Sequence, residues 1–243
     1  MMQCFYLVPQ FLPVPLFPML SFIPRVQSMW VIEMSPSRFR LRRVFRGVVL
    51  RIASPLAQRG VRPDTVTYFS LFLSFMSSLS LMITHCPQLF GVLVFLAGLF
   101  DGVDGAVARM GGRSTPAGPL VDSVTDKVSE AIIIMGVALS APSSSVLGIG
   151  VDTWSYLCLF GWLMTSYTRS RAQSLGVEDL DVGLGARSER LFTLFVFAVV
   201  GLLVEGLAVV AVLGMLTAAY RYNHYLHQIL GASRGLSKSE GSV

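Results

Sequence analysis

Residues 99–126 read LFDGVDGAVARMGGRSTPAGPLVDSVTD, and the reading of this stretch decides the fold. Its start closes one apolar run, Leu89–Ala108, and its end opens another, Gly118–Ser140. The connection between them is short and punctuated by Gly111, Gly112 and Pro116, so it turns the chain back on itself. Two aspartates lie near the end of the first run and two near the start of the second. Asp101 and Asp104, at i,i+3, share a helix face; Asp122 and Asp126, at i,i+4, share one on the next helix. A helical hairpin lets the two faces meet at one depth.

The rest of the chain has the composition of a membrane protein. Of its 243 residues 53% are apolar and only 14% charged, against about 25% charged in a soluble chain. That balance excludes a soluble enzyme, a disordered chain and a nucleic-acid-binding domain. The net charge of +5 is then a matter of membrane topology, and no nucleic-acid partner is expected. Cys4, Cys86 and Cys158 are scattered, with no disulfide framework and no zinc spacing.

Six apolar segments are expected to span the membrane: Thr65–Thr84, Leu89–Ala108, Gly118–Ser140, Thr153–Thr168, Arg187–Val204 and Gly206–Tyr222. Only Glu205–Gly206 divides the last two, and charge decides for two spans over one. With six alternating spans, the connections on one side (85–88, 141–152 and the turn at 205) hold no Lys or Arg. The basic residues from Arg38 onward fall on the other side. The positive-inside rule puts both termini, the 109–117 and 169–186 loops and the aspartates on the cytoplasmic side of a multi-pass cell-membrane protein.

The expected fold is therefore all-α, with six transmembrane helices over residues 64–228 and a flexible tail over 229–243. An amphipathic segment over 35–63 precedes them. Its arginines (Arg38, Arg40, Arg42, Arg43, Arg46, Arg51, Arg59 and Arg62) interleave with apolar residues, which suits a helix lying on an anionic membrane surface. Residues 1–34 form a Pro-rich leader. Pro9, Pro13, Pro15 and Pro18 break its apolar run, and Met29 and Met34 are alternative starts.

Four uncompensated aspartates in a membrane would cost on the order of 10 kcal/mol. Arg109 and Lys127 are nearby but cannot neutralise four carboxylates; one or two divalent cations can. The oxygen ligands, with no His or Cys among them, suit Mg²⁺ or Mn²⁺. Glu130 lies one turn beyond Asp126 on the same face and reads as a local partner of Lys127. Gly98 and Gly102 make a GxxxG pair suited to close helix packing. Trp154 and Trp162, with the Tyr and His residues past position 219, read as interfacial aromatics.

The pattern Asp101-x2-Asp104-Gly105-x2-Ala108-Arg109-x8-Gly118-x3-Asp122-x3-Asp126 resembles the signature of the CDP-alcohol phosphatidyltransferase family. The resemblance covers about residues 36–228. It implies two metal ions on Asp101, Asp104 and Asp122, with Asp126 sharing the second ion or serving as general base. It also implies a cytidine diphosphate seated by Gly105, Ala108, Arg109 and Gly118. The segment Pro63-Asp64-Thr65-Val66-Thr67 resembles the family's Pro-Asn-x-x-Thr, with Asp64 in place of Asn. Asp64 and Thr67 are thereby candidate contacts to the CDP-lipid, and a helix N-cap is the plainer role for Asp64. A homodimer is also implied.

Arg169, Arg171, Arg187 and Arg190 gather at one mouth, where Arg forks suit a phosphorylated acceptor. The stretch around them resembles the inositol-phosphate branch of the family, with departures at Ser170, Gln173 and Ala186. The expected reaction joins CDP-diacylglycerol or CDP-archaeol to inositol 1-phosphate and releases CMP. Glycerol 3-phosphate and serine are alternative acceptors. An intramembrane prenyltransferase and a cation transporter are the readings from other classes.

Overall fold

The computed structural model describes residues 40–240 except 112–114, 178–179, 181 and 184. The leader and the first residues of the amphipathic segment lie outside the described residues. Seven helices and one small hairpin make up the described part: α1 (Arg40–Gln58), α2 (Pro63–Thr84), α3 (Pro87–Gly111), α4 (Gly118–Ser140), β1 (Ser145–Val146), β2 (Ile149–Gly150), α5 (Val151–Ser174), α6 (Arg187–Val199) and α7 (Leu203–Glu240). By length and composition α2, α3 and the Leu203–Leu230 part of α7 can each cross a membrane. The chain is all-helical apart from the hairpin. There Leu147 and Gly148 both take positive φ, as a two-residue turn between antiparallel strands requires.

Local chemistry sets the helix ends. Pro63 is the first residue of α2, where its missing N–H costs nothing, and Arg62 is the N-cap. Asp64 thus lies two residues past the cap position, in the first turn, where its charge suits the helix dipole. His85 closes α2 in the left-handed region at φ 50°, its N–H donating to Leu81 O. Pro87 then begins α3, so only two residues separate the helices.

The break before α7 falls at Val200–Leu202, earlier than the Glu205–Gly206 step that the sequence suggests. Gly201 adopts φ +82° there. Gly206 is a contact instead: a side chain on it would run into Phe197 of α6. At the other end α7 continues helically to Glu240, past the expected boundary at 228. Ile229, one residue past that boundary, packs with the cluster of Ala172, Val177 and Tyr225.

Packing places the site. α2 lies against α3 and α4 through small hydroxylated residues rather than bulky ones. Ser70 Oγ donates to Ala97 O (2.8 Å), and Ser78 Oγ donates to Ile132 O (2.7 Å). Gly136 of α4 lies so close that a Cβ on it would be 2.6 Å from Ser78 Cβ. Small residues at a helix interface let backbones approach, the usual solution where lipid is as apolar as the side chains.

α5 and α7 meet the same way at Gly161 and Gly214, and Thr165 Oγ1 donates to Gly214 O (3.1 Å). Trp162 fills this contact at 1% exposure, its Nε1 donating to Val210 O, so it is a core residue and not an interfacial one. Tyr225 is buried too, its hydroxyl donating to Leu180 O.

The face of α1 that carries Ile52, Ala53 and Leu56 packs with Val66, Val103, Ala106 and Val107, while Arg46, Arg51 and Arg59 are exposed. Phe45 joins Phe95 of α3 edge-on at 5.4 Å and Phe192 of α6 at 6.0 Å. The GxxxG pair serves two neighbours: Gly98 faces Leu191 of α6 and Gly102 faces Val49 of α1.

Candidate active site

The hairpin α3–α4 brings the aspartates together at one end of the bundle. Carboxylate oxygens of Asp101, Asp122 and Asp126 all lie within 4.8 Å of one another. Asp104 shares the helix face but turns toward α2. Its Oδ2 accepts from Thr67 Oγ1 at 2.7 Å, and its Oδ1 accepts from the Gly105 N–H. Asp104 is buried.

A guanidinium enters the cluster from the start of α6. Arg187 Nη1 pairs with Asp101 Oδ2 and lies 2.8 Å from Asp126 Oδ1. The contact to Asp126 is an ion pair without hydrogen-bond geometry, so Asp126 Oδ1 is buried with no hydrogen-bond donor among the described residues. Three converging carboxylates, one with an unfilled lone pair, form an all-oxygen donor set that fits a hard divalent cation.

Glu130 extends the line of acids one turn deeper along α4. Its local pair with Lys127 is present at 2.6 Å. Glu130 Oε1 also lies 3.4 Å from Arg187 Nε and 3.3 Å from Arg190 Nη2. Arg190 is 1% exposed, and its guanidinium sits 4.7 Å from the centre of the Trp162 ring, a cation–π arrangement. One buried carboxylate thus gathers three cations.

The other candidate residues are placed as follows. Arg109 is exposed and folds back over Gly105, where an added Cβ would be 3.2 Å from its Nη1. Ala108 lies one residue before it on α3. Gly118 opens α4, its N–H donating to the Thr115 hydroxyl at 3.1 Å. Asp64 is exposed, whereas Thr67 is buried against Asp104.

Arg169 and Arg171 are exposed on the last turns of α5, Arg171 reaching Ser174 Oγ at 3.5 Å. The structure therefore brings Arg187 and Arg190 to Glu130 and leaves Arg169 and Arg171 at the rim. Sequence reasoning left Arg221 with no local role. It is buried, and it donates from Nε to Val182 O and from Nη1 to Thr165 O, each at 2.9 Å. An arginine inside the sixth apolar run was the available signal.

The CDP-alcohol phosphatidyltransferase family model matches residues 61–223. The chain belongs to the CDP-alcohol phosphatidyltransferase family. The matched residues include the four aspartates and all four arginines of the mouth. Among CDP-alcohol phosphatidyltransferase relatives, an archaetidylinositol phosphate synthase of Pyrococcus horikoshii is 30% identical over 173 residues, 70% of this chain and 87% of that protein. The phosphatidylinositol phosphate synthase of Mycobacterium tuberculosis has a similar structure. With CDP-DAG bound it matches at a TM-score of 0.62 and 26% identity, over 75% of this chain and 93% of that one. The same protein in complex with manganese and citrate matches at a TM-score of 0.61 and 26% identity, over 75% and 88%.

Proposed function

We propose that this chain transfers a phosphatidyl or archaetidyl group from a CDP-lipid to a hydroxyl of inositol 1-phosphate, releasing CMP. One observation carries the reading: Asp101, Asp122 and Asp126 converge within 4.8 Å, with Arg187 against two of them. Carboxylates for divalent ions thus stand beside a guanidinium suited to phosphate. The names of the archaeal relative and the mycobacterial neighbour support inositol phosphate as acceptor, and the neighbour's CDP-DAG complex supports the donor class. CDP-diacylglycerol and CDP-archaeol remain the two donor candidates.

Asp101, Asp104, Asp122 and Asp126 would hold two Mg²⁺ or Mn²⁺ ions, a reading supported by the neighbour's manganese complex. Bound there, the ions supply charge neutralisation for the diphosphate oxygens. Gly105, Ala108, Arg109 and Gly118, with Asp64 and Thr67, would seat the cytidine diphosphate. Thr67 would act through Asp104, whose carboxylate it orients. Arg187 would grip the acceptor phosphate, with Arg169 and Arg171 at the rim and Arg190 behind it. Asp126 takes the proton of the acceptor hydroxyl. The freed oxygen bonds to the lipid-side phosphorus while that phosphorus loses its bond to the bridging oxygen, and CMP leaves with the electron pair.

In this reading α2–α7 are six spans of a cell-membrane protein whose termini and aspartates face the cytoplasm. The exposed arginines of α1 lie along the headgroups, and the enzyme works as a homodimer, as its family resemblance implies. Purified protein with Mg²⁺ tests the reaction by crossing two donors, CDP-diacylglycerol and CDP-archaeol, with inositol 1-phosphate, glycerol 3-phosphate and serine. CMP release is expected with inositol 1-phosphate. No release with any acceptor sinks the transferase reading, and release with another acceptor alone sinks the inositol assignment.

A further inference from the structure

Glu130 lies outside the aspartate signature, yet it meets Lys127, Arg187 and Arg190 on the inner side of the site. Asp122, Asp126 and Glu130 follow one another at i,i+4 along α4, so the acidic line continues inward past the candidate metal ligands. Glu130 is 2% exposed. Its Oε2 meets Lys127, and its Oε1 meets Arg187 Nε at 3.4 Å and Arg190 Nη2 at 3.3 Å. A carboxylate at such burial persists only with compensating cations, and here three attend one acid.

The contact to Arg187 is an ion pair at its Nε, without hydrogen-bond geometry, on the inner edge of the guanidinium. A guanidinium is planar and rigid, and Nη1 lies off the edge that carries Nε and Nη2, so an anion at Nε leaves Nη1 turned to the other side. Nη1 of Arg187 is turned in this way, toward Asp101 and Asp126. Arg190 backs the arrangement from the Trp162 ring, its Nε and Nη1 without hydrogen-bond partners among the described residues.

We propose that Glu130 is a positioning residue: it anchors Arg187 from behind and sets that guanidinium between the carboxylate cluster and the acceptor's phosphate. The inference rests on the transferase reading above. Glu130 touches no substrate in it; its effect passes through Arg187. Once divalent ions occupy the aspartates, Nη1 loses its anionic partners there. The anchor at Nε then keeps the guanidinium at the mouth. Without the anchor, the metal-free arginine is held by Asp101 and Asp126 alone and competes harder with the ions for those carboxylates.

Glu130→Gln keeps the shape and removes the charge. It should raise the KM for inositol 1-phosphate about ten- to a hundredfold, the lower range for one lost buried ion-pair contact. The KM for the CDP-lipid and kcat should stay within about threefold. A tie that merely holds α4 to α6 would instead lower the amount of folded enzyme, or lower kcat, with the acceptor KM unchanged. A second readout needs no turnover: Mn²⁺ binding to the detergent-solubilised protein, followed by the loss of the free-ion electron paramagnetic resonance signal. Glu130→Gln should weaken Mn²⁺ binding about threefold or more, and Glu130→Gln combined with Arg187→Ala should restore it.

If Glu130→Gln does not fold, Glu130→Asp carries both measurements, keeping the charge with a shorter reach and moving each value less in the same direction. An unchanged acceptor KM together with unchanged Mn²⁺ binding in the variant that folds overturns the proposal. A wild-type enzyme that releases no CMP strikes the function reading itself. A wild type that turns over beside an unaffected variant strikes only the role of Glu130.

Discussion

Arg187→Ala should destabilise the metal-free protein far more than the metal-loaded one. In the structure Arg187 pairs with Asp101 and sits 2.8 Å from Asp126, and the three side chains are 14%, 23% and 21% exposed. At an effective dielectric of about 20, one such contact at 2.8 Å amounts to about 6 kcal/mol of raw attraction, before desolvation and side-chain entropy are subtracted. Removing one partner of a buried pair costs about 3–5 kcal/mol, because the other charge is stranded. Partial exposure puts this site at the lower end, about 3 kcal/mol. At about 2–4 °C per kcal/mol for a chain of this size, the midpoint should fall by about 6–12 °C in EDTA. With saturating Mg²⁺ or Mn²⁺ the carboxylates have another cation, and the fall should shrink to about 2–4 °C. Thermal unfolding of detergent-solubilised protein in the two conditions measures the difference. Equal falls in both would refute the idea that the arginine and the divalent ions share the same carboxylates.

Three further outcomes are expected. Asp126→Asn should lower kcat by about 10²–10⁴, the usual worth of a general base, while equilibrium binding of the CDP-lipid stays near wild type; equal loss of both would remove the base role. Thr67→Val deletes the 2.7 Å donor to Asp104, a hydrogen bond to a charged group worth about 1.5–3 kcal/mol. The concentration of Mg²⁺ needed for half-maximal activity should rise about tenfold or more, with Thr67→Ser close to wild type. Gly161→Ala would set a Cβ 2.8 Å from the backbone nitrogen of Met215. Backbone cannot swing aside as a side chain can, so a loss of about 1–3 kcal/mol is expected in thermal unfolding, whether metal is present or absent.

The hairpin of aspartates was legible in the sequence because each part of the signal is local. Acids at i,i+3 and i,i+4 mark faces, and glycine with proline marks the turn. The helices followed from apolar run length for the same reason. Contacts made across long separations were not legible. Glu130 and Arg190 lie sixty positions apart, so the sequence offered only the neighbour Lys127 for Glu130. Trp162 looked like an interfacial aromatic because nothing nearby announces that Gly214 opens a slot for it. The serines of α2 carry no periodic charge or apolar mark, although Ser70 and Ser78 bind α3 and α4. The start of α7 was misjudged because two glycines compete there, and only the fold shows that Gly201 turns while Gly206 packs.

The connection between α5 and α6 is fastened from α7 by Arg221 at the carbonyl of Val182 and Tyr225 at the carbonyl of Leu180. Both fasteners grip main-chain oxygen, which every amino acid presents alike. At Leu180 and Val182 the chain that leads to Arg187 is therefore held through its backbone, while their side chains add packing against Ala172, Val177 and Tyr225. Apolar exchange at these two positions should leave Arg187 in place, and a library of apolar residues at Leu180 and Val182 should retain more active clones than one randomised at Arg221 and Tyr225.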